Sequence, residues 1–235
     1  MQQHKIVYKE INSTTFRMTS GIDVQNILEL DKEVVVQDIS SQGTVDFFPA
    51  FSHSPVSIWD TCAGSGGKSI MACDTYPGSR LYVSDIREEI LEELSRRFKI
   101  ASIMPQSSFC TDLQHSLSKQ VVDAHLPKEG VDLIIADVPC TGSGTWGRSP
   151  EWLKGFDFAL IESYQNRQKS IVSNLPCHLK KGGYLLYITC SVFRQENEEV
   201  VGHLLNNPNL QLKKKGIVHH EGGDYLFAAL FQKID

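Results

Sequence analysis

The chain has 235 residues, of which 41% are apolar, and its formal net charge at pH 7 is −5. This length suits one α/β domain with a short appendage. The acidic balance argues against a strong, non-specific polyanion binder, although short basic segments leave room for a local patch. No apolar run approaches the length of a membrane span, and the N-terminal residues lack the apolar core of a signal peptide, so the predicted location is cytoplasmic.

The six cysteines are expected to be thiols, because an intracellular chain of this size does not need disulfide bonds. No two of them form a C-x-x-C pair, and the histidines fall at no recognisable ligand spacing, so no metal site is predicted. For four of the six, the expected role is that of a small buried apolar residue. Cys140 and Cys190 are the two exceptions.

The first fifty residues are mixed, with a loop-like segment at 13–21 and a short strand-like segment at 33–38. From residue 56 onward, short apolar runs alternate with segments of helical periodicity. Strands are predicted at 56–62, 80–85, 102–109, 131–138, 184–190 and 225–233, and helices at 66–75, 87–100, 157–180 (ended by KKGG) and 194–207. This alternation is typical of a mostly parallel sheet with helices on both faces. The sequence therefore predicts a doubly wound α/β fold.

A glycine-rich turn, DTCAGSGGKS at 60–69, separates the first of these strands from the first helix. Gly64, Gly66 and Gly67 let the backbone approach a ligand closely, and the start of the helix offers free N–H donors. The spacing to Lys68 does not match an ATP phosphate loop. Such a turn is weak evidence alone, since plain turns also use glycine.

Asp85, Asp112 and Asp137 each follow a predicted strand. The carboxyl ends of parallel strands meet at one edge of a sheet, where doubly wound proteins bind ligands. A single acid at such a position is usually a solvated cap or turn residue. Three of them at successive strand ends favour a small-molecule site.

Cys140 and Cys190 follow apolar strands, in the contexts DVPC and YITCS. Neighbouring strands bring their ends into one crevice, so the two thiols are expected to meet there. One thiol can then attack a substrate while the other serves as acid or base.

Four segments resemble, in order and spacing, the RsmB/Sun family of RNA cytosine-5 methyltransferases: they are DTCAGSGGKS, DVPCTGSGTWGRSPEW, YITCS and ENEEVV. VVVQDISSQ at 34–42 is also similar to the family's segment just ahead of the catalytic core, and DYLFAALFQK is similar to its closing strand. The resemblance implies a Rossmann-like methyltransferase sheet whose last strand is antiparallel. Residues 1–50 would then be an N-terminal extension and residues 51–235 the catalytic domain.

The family implies S-adenosyl-L-methionine as the methyl donor and RNA as the substrate. By this similarity Cys190 is the nucleophile and Cys140 assists product release, with Asp137 and Lys68 near both the donor and the target base. Asp85 would hold the donor's ribose, and Asp112 would lie near its adenine. The loop around its methionine end would consist of Cys62, Ala63, Gly64, Ser65, Gly66, Gly67 and Lys68.

DNA cytosine methyltransferases place their nucleophile after the proline, which would favour Cys140, but they lack the second cysteine in a TCS context. Arg148, in the loop after Cys140, is expected either to meet a substrate phosphate or to form a structural salt bridge.

Two features depart from the family. Its loop usually reads Ala-Ala-Pro-Gly-Gly-Lys, whereas Gly64 and Ser65 stand here in place of Ala-Pro. A sizeable RNA-binding region usually precedes the core, whereas only about thirty-three residues do so here. The chain is therefore expected to be a free-standing catalytic domain, a part of a longer protein, or a protein that relies on a partner for RNA capture.

Ribosomal RNA is the predicted substrate, and transfer RNA is the alternative. A methyltransferase for a protein or small molecule would not need two thiols. A non-catalytic module that binds RNA or cofactor at a decayed site is the remaining alternative, which the altered loop leaves open.

Overall fold

The computed structural model describes residues 8–19, 21–115 and 118–235. The chain divides into two compact units, Met1–Val36 and Gln37–Asp235. The first unit contains an antiparallel hairpin of β1 (Tyr8–Asn12) and β2 (Thr15–Met18), whose side chains are mostly exposed.

Two predictions for the N-terminal region are wrong. The segment 13–21 contains β2, and the segment 33–38 is not a strand, because only Val34 makes an isolated bridge, to Leu30. Consecutive valines favour an extended chain, but a strand also needs a neighbour to pair with. Asp38 instead caps the helix α1 (Ile39–Gly43), since its carboxylate accepts hydrogen bonds from the first backbone N–H groups of that helix.

Within the described residues, seven strands of the second unit form one sheet. Its strands are β3 (Ser57–Asp60), β4 (Arg80–Asp85), β5 (Ser107–Cys110), β6 (Val131–Asp137), β7 (Leu179–Thr189), β8 (Leu210–Val218) and β9 (Leu226–Lys233). Its longer helices are α2 (Gly67–Thr75), α3 (Glu88–Ile100), α4 (Ser118–His125), α5 (Ala159–Ser173) and α6 (Glu198–Leu204).

The strand order is β5-β4-β3-β6-β7-β9-β8. The pairs among β3 to β7 are parallel, and β9 is antiparallel to both of its neighbours. The predicted doubly wound α/β fold with an antiparallel last strand is confirmed. The strand order reverses between β3 and β6, and such a reversal opens a crevice at the carboxyl ends of the strands.

The helix predicted at 157–180 ends earlier than expected. α5 stops at Ser173, and Pro176 begins a single 3₁₀ turn, because proline cannot donate the backbone hydrogen bond that a continuing helix requires. The strand β7 then starts at Leu179, so the KKGG sequence lies inside the strand rather than at the helix end. A register shift between Val131 and Leu133 of β6 accompanies this longer strand.

The sequence patterns did not predict α4 or β8, and α6 is shorter than the predicted helix at 194–207. β8 lies at the edge of the sheet, and it carries three consecutive exposed lysines at 213–215. Charged residues on an edge strand hinder pairing with another chain. The three lysines also interrupt the alternation of apolar and polar residues from which a strand is predicted.

The centre of the core lies along β6 and β7. The apolar run of β6 is buried on both faces, as predicted, and Ile134, Leu185 and Tyr187 are fully buried. Trp59 of β3 is also fully buried, and its indole N–H donates to Ser84 Oγ at 3.0 Å. Within the described ranges, no helix combines the length and apolar character that crossing a membrane would require.

Candidate active site

The carboxyl ends of β3, β4, β5, β6 and β7 border one cavity of about 740 Å³. Cavities of this size commonly hold a cofactor or small ligand. The predicted site residues in its lining are Cys62, Ala63, Gly64, Ser65, Gly67, Lys68, Asp85, Asp112, Asp137, Cys140 and Cys190. Two predicted residues are not in the lining: Gly66 precedes α2, and Arg148 lies in the loop after β6.

The loop between β3 and α2 requires glycine at two positions. Gly64 and Gly66 have φ angles of 52° and 88°, in the left-handed region that other residues rarely adopt. A Cβ atom on Gly66 would lie 2.8 Å from the ring of Phe98. The Gly64 amide donates to Asp85 Oδ2 at 2.9 Å, which ties the loop to the end of β4.

Asp85 is buried at the end of β4, and Arg87 holds it. The Arg87 backbone N–H and its Nε each donate to Asp85 Oδ1, at 3.0 and 2.9 Å. Burial raises the pKa of Asp85, but these hydrogen bonds and the one from Gly64 outweigh burial, so its pKa is lowered overall. Asp85 is therefore a charged acceptor on the cavity wall at neutral pH.

Asp112 lies beyond the end of β5 and is less buried. Its Oδ1 accepts hydrogen bonds from the backbone N–H and the side-chain amide of Gln114, each at 3.0 Å. Burial again raises its pKa, but the hydrogen bonds from Gln114 outweigh burial and lower it overall. This carboxylate is also charged at neutral pH.

Asp60, at the end of β3, is a site residue that the sequence analysis missed. It is 1% exposed, and its Oδ2 accepts a hydrogen bond from Ser69 Oγ at 2.7 Å. Among the described residues, its Oδ1 has no hydrogen-bond partner. Burial raises the pKa of Asp60 to about 7, and the hydrogen bond from Ser69 opposes that rise. The signal was present in the sequence, because Asp60 is an acid at a strand end directly before the glycine loop.

Lys68, in the first turn of α2, forms a short ion pair with Asp137 at the end of β6. The distance from Lys68 Nζ to Asp137 Oδ2 is 2.6 Å, and Nζ also donates to Ser41 Oγ at 3.2 Å. Burial alone would lower the pKa of Lys68, but the charge and hydrogen bond of Asp137 outweigh burial and raise it. A cation and an anion therefore stand together on the cavity wall. Ser41 belongs to the segment that resembled the family's lead-in to its core.

Cys140 and Cys190 meet, as predicted, at the ends of neighbouring strands. Their sulfur atoms are 3.3 Å apart, close enough for one thiol to donate a hydrogen bond to the other. The hydrogen bond from Cys140 lowers the pKa of the Cys190 thiol, although burial opposes it. The same contact, together with burial, raises the pKa of Cys140 well above its ordinary value. Cys190 is therefore the more acidic thiol, and its thiolate would accept the hydrogen bond from Cys140.

Arg148 forms a bidentate salt bridge with the buried Asp224. The Nε and Nη2 atoms of Arg148 donate to the two carboxylate oxygens at 2.7 and 2.6 Å. Gly144, in the same loop, donates from its amide to the Cys190 carbonyl at 2.9 Å and accepts from the Tyr225 amide at 3.0 Å. A Cβ on Gly144 would lie 2.0 Å from the Tyr225 carbonyl oxygen, so only glycine fits between these segments.

A model of the 16S rRNA methyltransferase RsmB/F family matches residues 52–229, which include both cysteines, the glycine loop and the strand-end acids. The chain belongs to the RsmB/F family. The predicted relationship to the RsmB/Sun methyltransferases is confirmed.

Curated relatives of the RsmB/F type include the ribosomal RNA small subunit methyltransferase B of Serratia proteamaculans. That protein is 30% identical over 220 residues, which are 87% of this chain and 48% of the relative. The enzyme of the same name from Yersinia pseudotuberculosis is 30% identical over 213 residues, covering 83% of this chain and 46% of the relative. The chain thus spans about half the length of these relatives.

Solved structures share the fold. The crystal structure of PH0851 has a TM-score of 0.82 at 22% identity. The match covers 97% of this chain and 54% of the PH0851 chain. The structure of NSun6 from Pyrococcus horikoshii with SFG, an analogue of S-adenosylmethionine, has a TM-score of 0.74 at 18% identity. The match covers 94% of this chain and 58% of the NSun6 chain.

S-adenosylmethionine is the methyl donor of the RsmB/F family, and the cavity fits it chemically. The buried, unpartnered oxygen of Asp60 suits an ammonium group such as the one on a methionine moiety. Gly64 leaves open backbone in the cavity lining, and the charged Asp85 suits hydroxyl donors. Among the described residues, no group of three or more histidine, cysteine or acidic side chains is arranged to hold a metal ion.

Proposed function

We propose that this chain is an RNA cytosine-5 methyltransferase in which Cys190 is the nucleophile. The observation that carries the proposal is the 3.3 Å contact between the Cys140 and Cys190 sulfurs, beside the ion pair of Lys68 and Asp137. Transfer to an oxygen or nitrogen atom needs no thiol nucleophile, whereas transfer to a weakly nucleophilic ring carbon needs a thiolate that first adds to the ring. The second thiol is then available to assist release of the product.

Carbon-5 of cytosine becomes reactive once a thiolate has added to carbon-6. Only a few per cent of an ordinary cysteine is thiolate at neutral pH, so a nucleophilic cysteine must be activated by its surroundings. The hydrogen bond from Cys140 and the positive charge of Lys68 both favour the thiolate of Cys190, because each lowers its pKa. We therefore assign the attack to Cys190 rather than to Cys140.

When bound, S-adenosylmethionine supplies the methyl group that carbon-5 takes. The carbon-5 proton must then pass to a base, after which the bond between carbon-6 and Cys190 breaks and the Cys190 thiolate is restored. We assign Cys140 to this release step, because its sulfur is in contact with that of Cys190. Asp137 would hold the polar edge of the base as charge shifts, and Lys68 would fix Asp137 in place.

For the cofactor, we assign the methionine end to the loop from Cys62 to Lys68, with Asp60 as an additional partner. Asp85 is assigned to the ribose and Asp112 to the region of the adenine. The lining of a single cavity by these residues supports the assignment. Because Arg87 already binds Asp85, a ribose would share the carboxylate with Arg87 or displace its side chain.

The proposed substrate is ribosomal RNA, on the strength of the family and of the curated relatives, and transfer RNA is the alternative. The target base must be unpaired or flipped out to reach Cys190 in the cavity. With a net charge of −5, the chain offers little general attraction for RNA, which supports a separate RNA-binding domain or partner. The salt bridge to Asp224 supports an ordering role for Arg148, and a phosphate contact by its exposed face stays a prediction.

The catalytic domain was predicted to begin at residue 51, and that boundary stays a proposal. Gln37 and Ser41 lie in the same compact unit as the site and line its cavity. We therefore propose that any catalytic fragment should start before residue 37.

The test is to incubate the wild-type chain and the Cys140→Ala, Cys190→Ala and Cys177→Ala variants with total RNA and methyl-labelled S-adenosylmethionine. Denaturing gels then report labelled RNA and label linked to protein. Cys177 is exposed and lies before β7, away from the cavity lining, so its variant is the matched control.

We expect Cys140→Ala to accumulate labelled RNA bound to protein, since it can attack but cannot release. Cys190→Ala should give neither product, and Cys177→Ala should match the wild type. Trapping by Cys190→Ala instead would reverse the assignment of the two thiols. Methyl transfer that survives in Cys190→Ala would refute the covalent mechanism.

A further inference from the structure

Glu196, just before α6, is a buried carboxylate that contacts both cysteine-bearing loops. It is 0% exposed. Its Oε1 accepts hydrogen bonds from the Thr141 backbone N–H and from Gln168 Nε2, each at 2.9 Å. Its Oε2 accepts from Thr141 Oγ1 at 2.6 Å and from the Ser191 hydroxyl. All four groups act as donors, which is the arrangement that an ionised, acceptor-only carboxylate requires.

The partners of Glu196 are the sequence neighbours of the two thiols. Thr141 follows Cys140 and Ser191 follows Cys190, so one carboxylate bridges the loops that carry them. Gln168 of α5 extends the link, because its Nε2 also donates to the carbonyl of Pro139 at 2.9 Å. A shift of either loop would break hydrogen bonds in a buried place, where unpaired polar groups are costly.

Asn197, the next residue, binds the two residues that flank Cys190 in the chain. Its Oδ1 accepts from Thr189 Oγ1 at 2.5 Å, and its Nδ2 donates to the Ser191 carbonyl at 2.7 Å. The Tyr187 hydroxyl donates to the Glu196 backbone carbonyl at 2.5 Å, which fixes this segment to β7. The ENEEVV sequence that resembled the family therefore has a structural task at the site.

The charge of Glu196 acts unequally on the two thiols. The contact with Cys190 and burial do most to raise the pKa of Cys140, and the negative charge of Glu196 adds to that rise. The largest effects of charge on Cys190 are those of Asp137 and Asp224, which raise its pKa, and of Lys68, which lowers it.

We propose that Glu196 is the positioning residue of the thiol pair, which fixes the spacing of Cys140 and Cys190 and keeps Cys140 as the protonated member. This inference rests on the proposed roles of the two cysteines, but it concerns the chain without RNA or cofactor. Glu196 touches neither sulfur and acts through the loops and its charge.

The substitution Glu196→Gln separates charge from shape. Its amide oxygen can keep the donors at Oε1, and its NH₂ can donate to the Thr141 and Ser191 hydroxyls, which rotate to accept. Glu196→Asp keeps the charge on a shorter side chain. Glu198→Gln is the matched control, since Glu198 is exposed on the same segment.

The experiment measures alkylation of each cysteine by a limiting amount of iodoacetamide at neutral pH, read by peptide mass spectrometry. In the wild type, Cys190 should react faster than Cys140. In Glu196→Gln this preference should fall about three-fold, the change that half a pKa unit produces. Glu196→Asp should keep most of the preference, and Glu198→Gln should keep all of it.

Urea unfolding reports whether the fold of each variant is intact, and Cys62 serves as an internal reference in the labelling, because burial raises the pKa of its thiol to about 12 and should keep it slower to react than Cys190. An unchanged preference in Glu196→Gln would overturn the proposal, as would equal losses in the Gln and Asp variants. If Glu196→Gln does not fold, Glu196→Asp decides, since loss of preference there contradicts a role for the charge. Failure of methyl transfer in the gel assay would count against the proposed function while leaving this labelling result intact.

Discussion

The two ends of β6 each carry an acid, and the two acids differ in how completely they are paired with other side chains. Both carboxylate oxygens of Asp132, near the start of the strand, accept hydrogen bonds. Ser57 donates from its N–H at 2.7 Å and from its Oγ at 2.6 Å, and Lys180 Nζ donates at 2.9 Å. His53 Nε2 lies 3.3 Å from the same carboxylate. Burial raises the pKa of Asp132, but the hydrogen bonds from Ser57 and Lys180 outweigh burial and lower it overall.

At the carboxyl end of the sheet, the polar side chains have fewer hydrogen-bond partners within the protein. Asp60 has an oxygen without a partner among the described residues, Asp137 faces the cavity with Lys68, and the two thiols have chiefly each other. Buried polar groups are normally paired, so an unpaired one marks a place where a ligand completes the set. The difference teaches that the polar groups at the amino end of the sheet are paired within the fold, whereas those at the carboxyl end keep the unpaired capacity that the proposed function requires.

The largest expected effect is on activity at the carboxyl end. Cys190→Ala should reduce methyl transfer on the order of 10⁴-fold or more, as the loss of a covalent nucleophile does. Its free energy of unfolding should change by only about 1 kcal/mol, since a small side chain with one thiol contact is removed. Single-turnover assays and urea unfolding measure the two quantities. A loss of several kcal/mol in the free energy of unfolding would contradict the contrast, because the carboxyl end would then also contribute strongly to stability.

The reverse pattern is expected at the amino end. Asp132→Asn should lower the free energy of unfolding by about 2–3 kcal/mol, because it removes the charge that Lys180 pairs with in a buried place. Methyl transfer per folded molecule should stay within about two-fold of the wild type, a change of well under 1 kcal/mol. Urea unfolding and activity corrected for folded fraction check this. A large loss of turnover in the folded fraction would show that the two ends are coupled.

Asp60→Asn tests the unpaired carboxyl through the pH dependence of stability. The folded chain holds the Asp60 proton up to about pH 7, whereas the unfolded chain loses it near the ordinary pKa of an aspartate, 3.8. The stability that this proton contributes is therefore complete below about pH 4 and is lost as pH rises through 7. Relative to Asp60→Asn, the wild type should lose on the order of 1 kcal/mol per pH unit across this window.

Thermal or urea unfolding of both proteins from pH 4 to pH 8 measures that difference. Ser69→Ala is a useful companion, since it removes the hydrogen bond that favours the charged form of Asp60. Parallel curves for the wild type and Asp60→Asn would mean that Asp60 ionises as easily as a solvated acid.

The smallest expected effect concerns the acidity of Cys190. Lys68 lowers the pKa of Cys190, whereas Asp137 raises it, so Lys68→Met leaves the unfavourable charge in place. The midpoint of Cys190 alkylation should move up by about one pH unit, the usual effect of losing a nearby opposite charge. Iodoacetamide rates from pH 6 to pH 10 measure the midpoint, with Lys180→Met as the control at the other end of the sheet. A downward shift would contradict the role given to Lys68.

The pattern of the sequence was enough to predict the doubly wound sheet and the edge that carries the site. The continuous apolar run of β6 and the glycines at 64, 66 and 67 are local signals, and strand direction alone decides which ends of the strands come together. The family resemblance could likewise be detected from the sequence, because it depends on short segments with fixed residue types. Local patterns failed at β8, an edge strand with three consecutive lysines, and at KKGG. KKGG lies inside β7 at an irregularity between Leu179 and Tyr184, the residues on either side of it that pair with β6.

By itself, then, the sequence determined the class of fold, the order of most of its elements and the presence of two thiols at neighbouring strand ends. The tertiary structure decided that their sulfurs lie 3.3 Å apart, that Asp60 keeps an unpaired oxygen and that Glu196 joins the two loops. The thiol contact and the link from Glu196 to Thr141 depend on distances between residues that are 50 and 55 positions apart. The state of Asp60 depends on burial, which sets the free energy of its charge. Neither quantity can be derived from the spacing of residues along the chain.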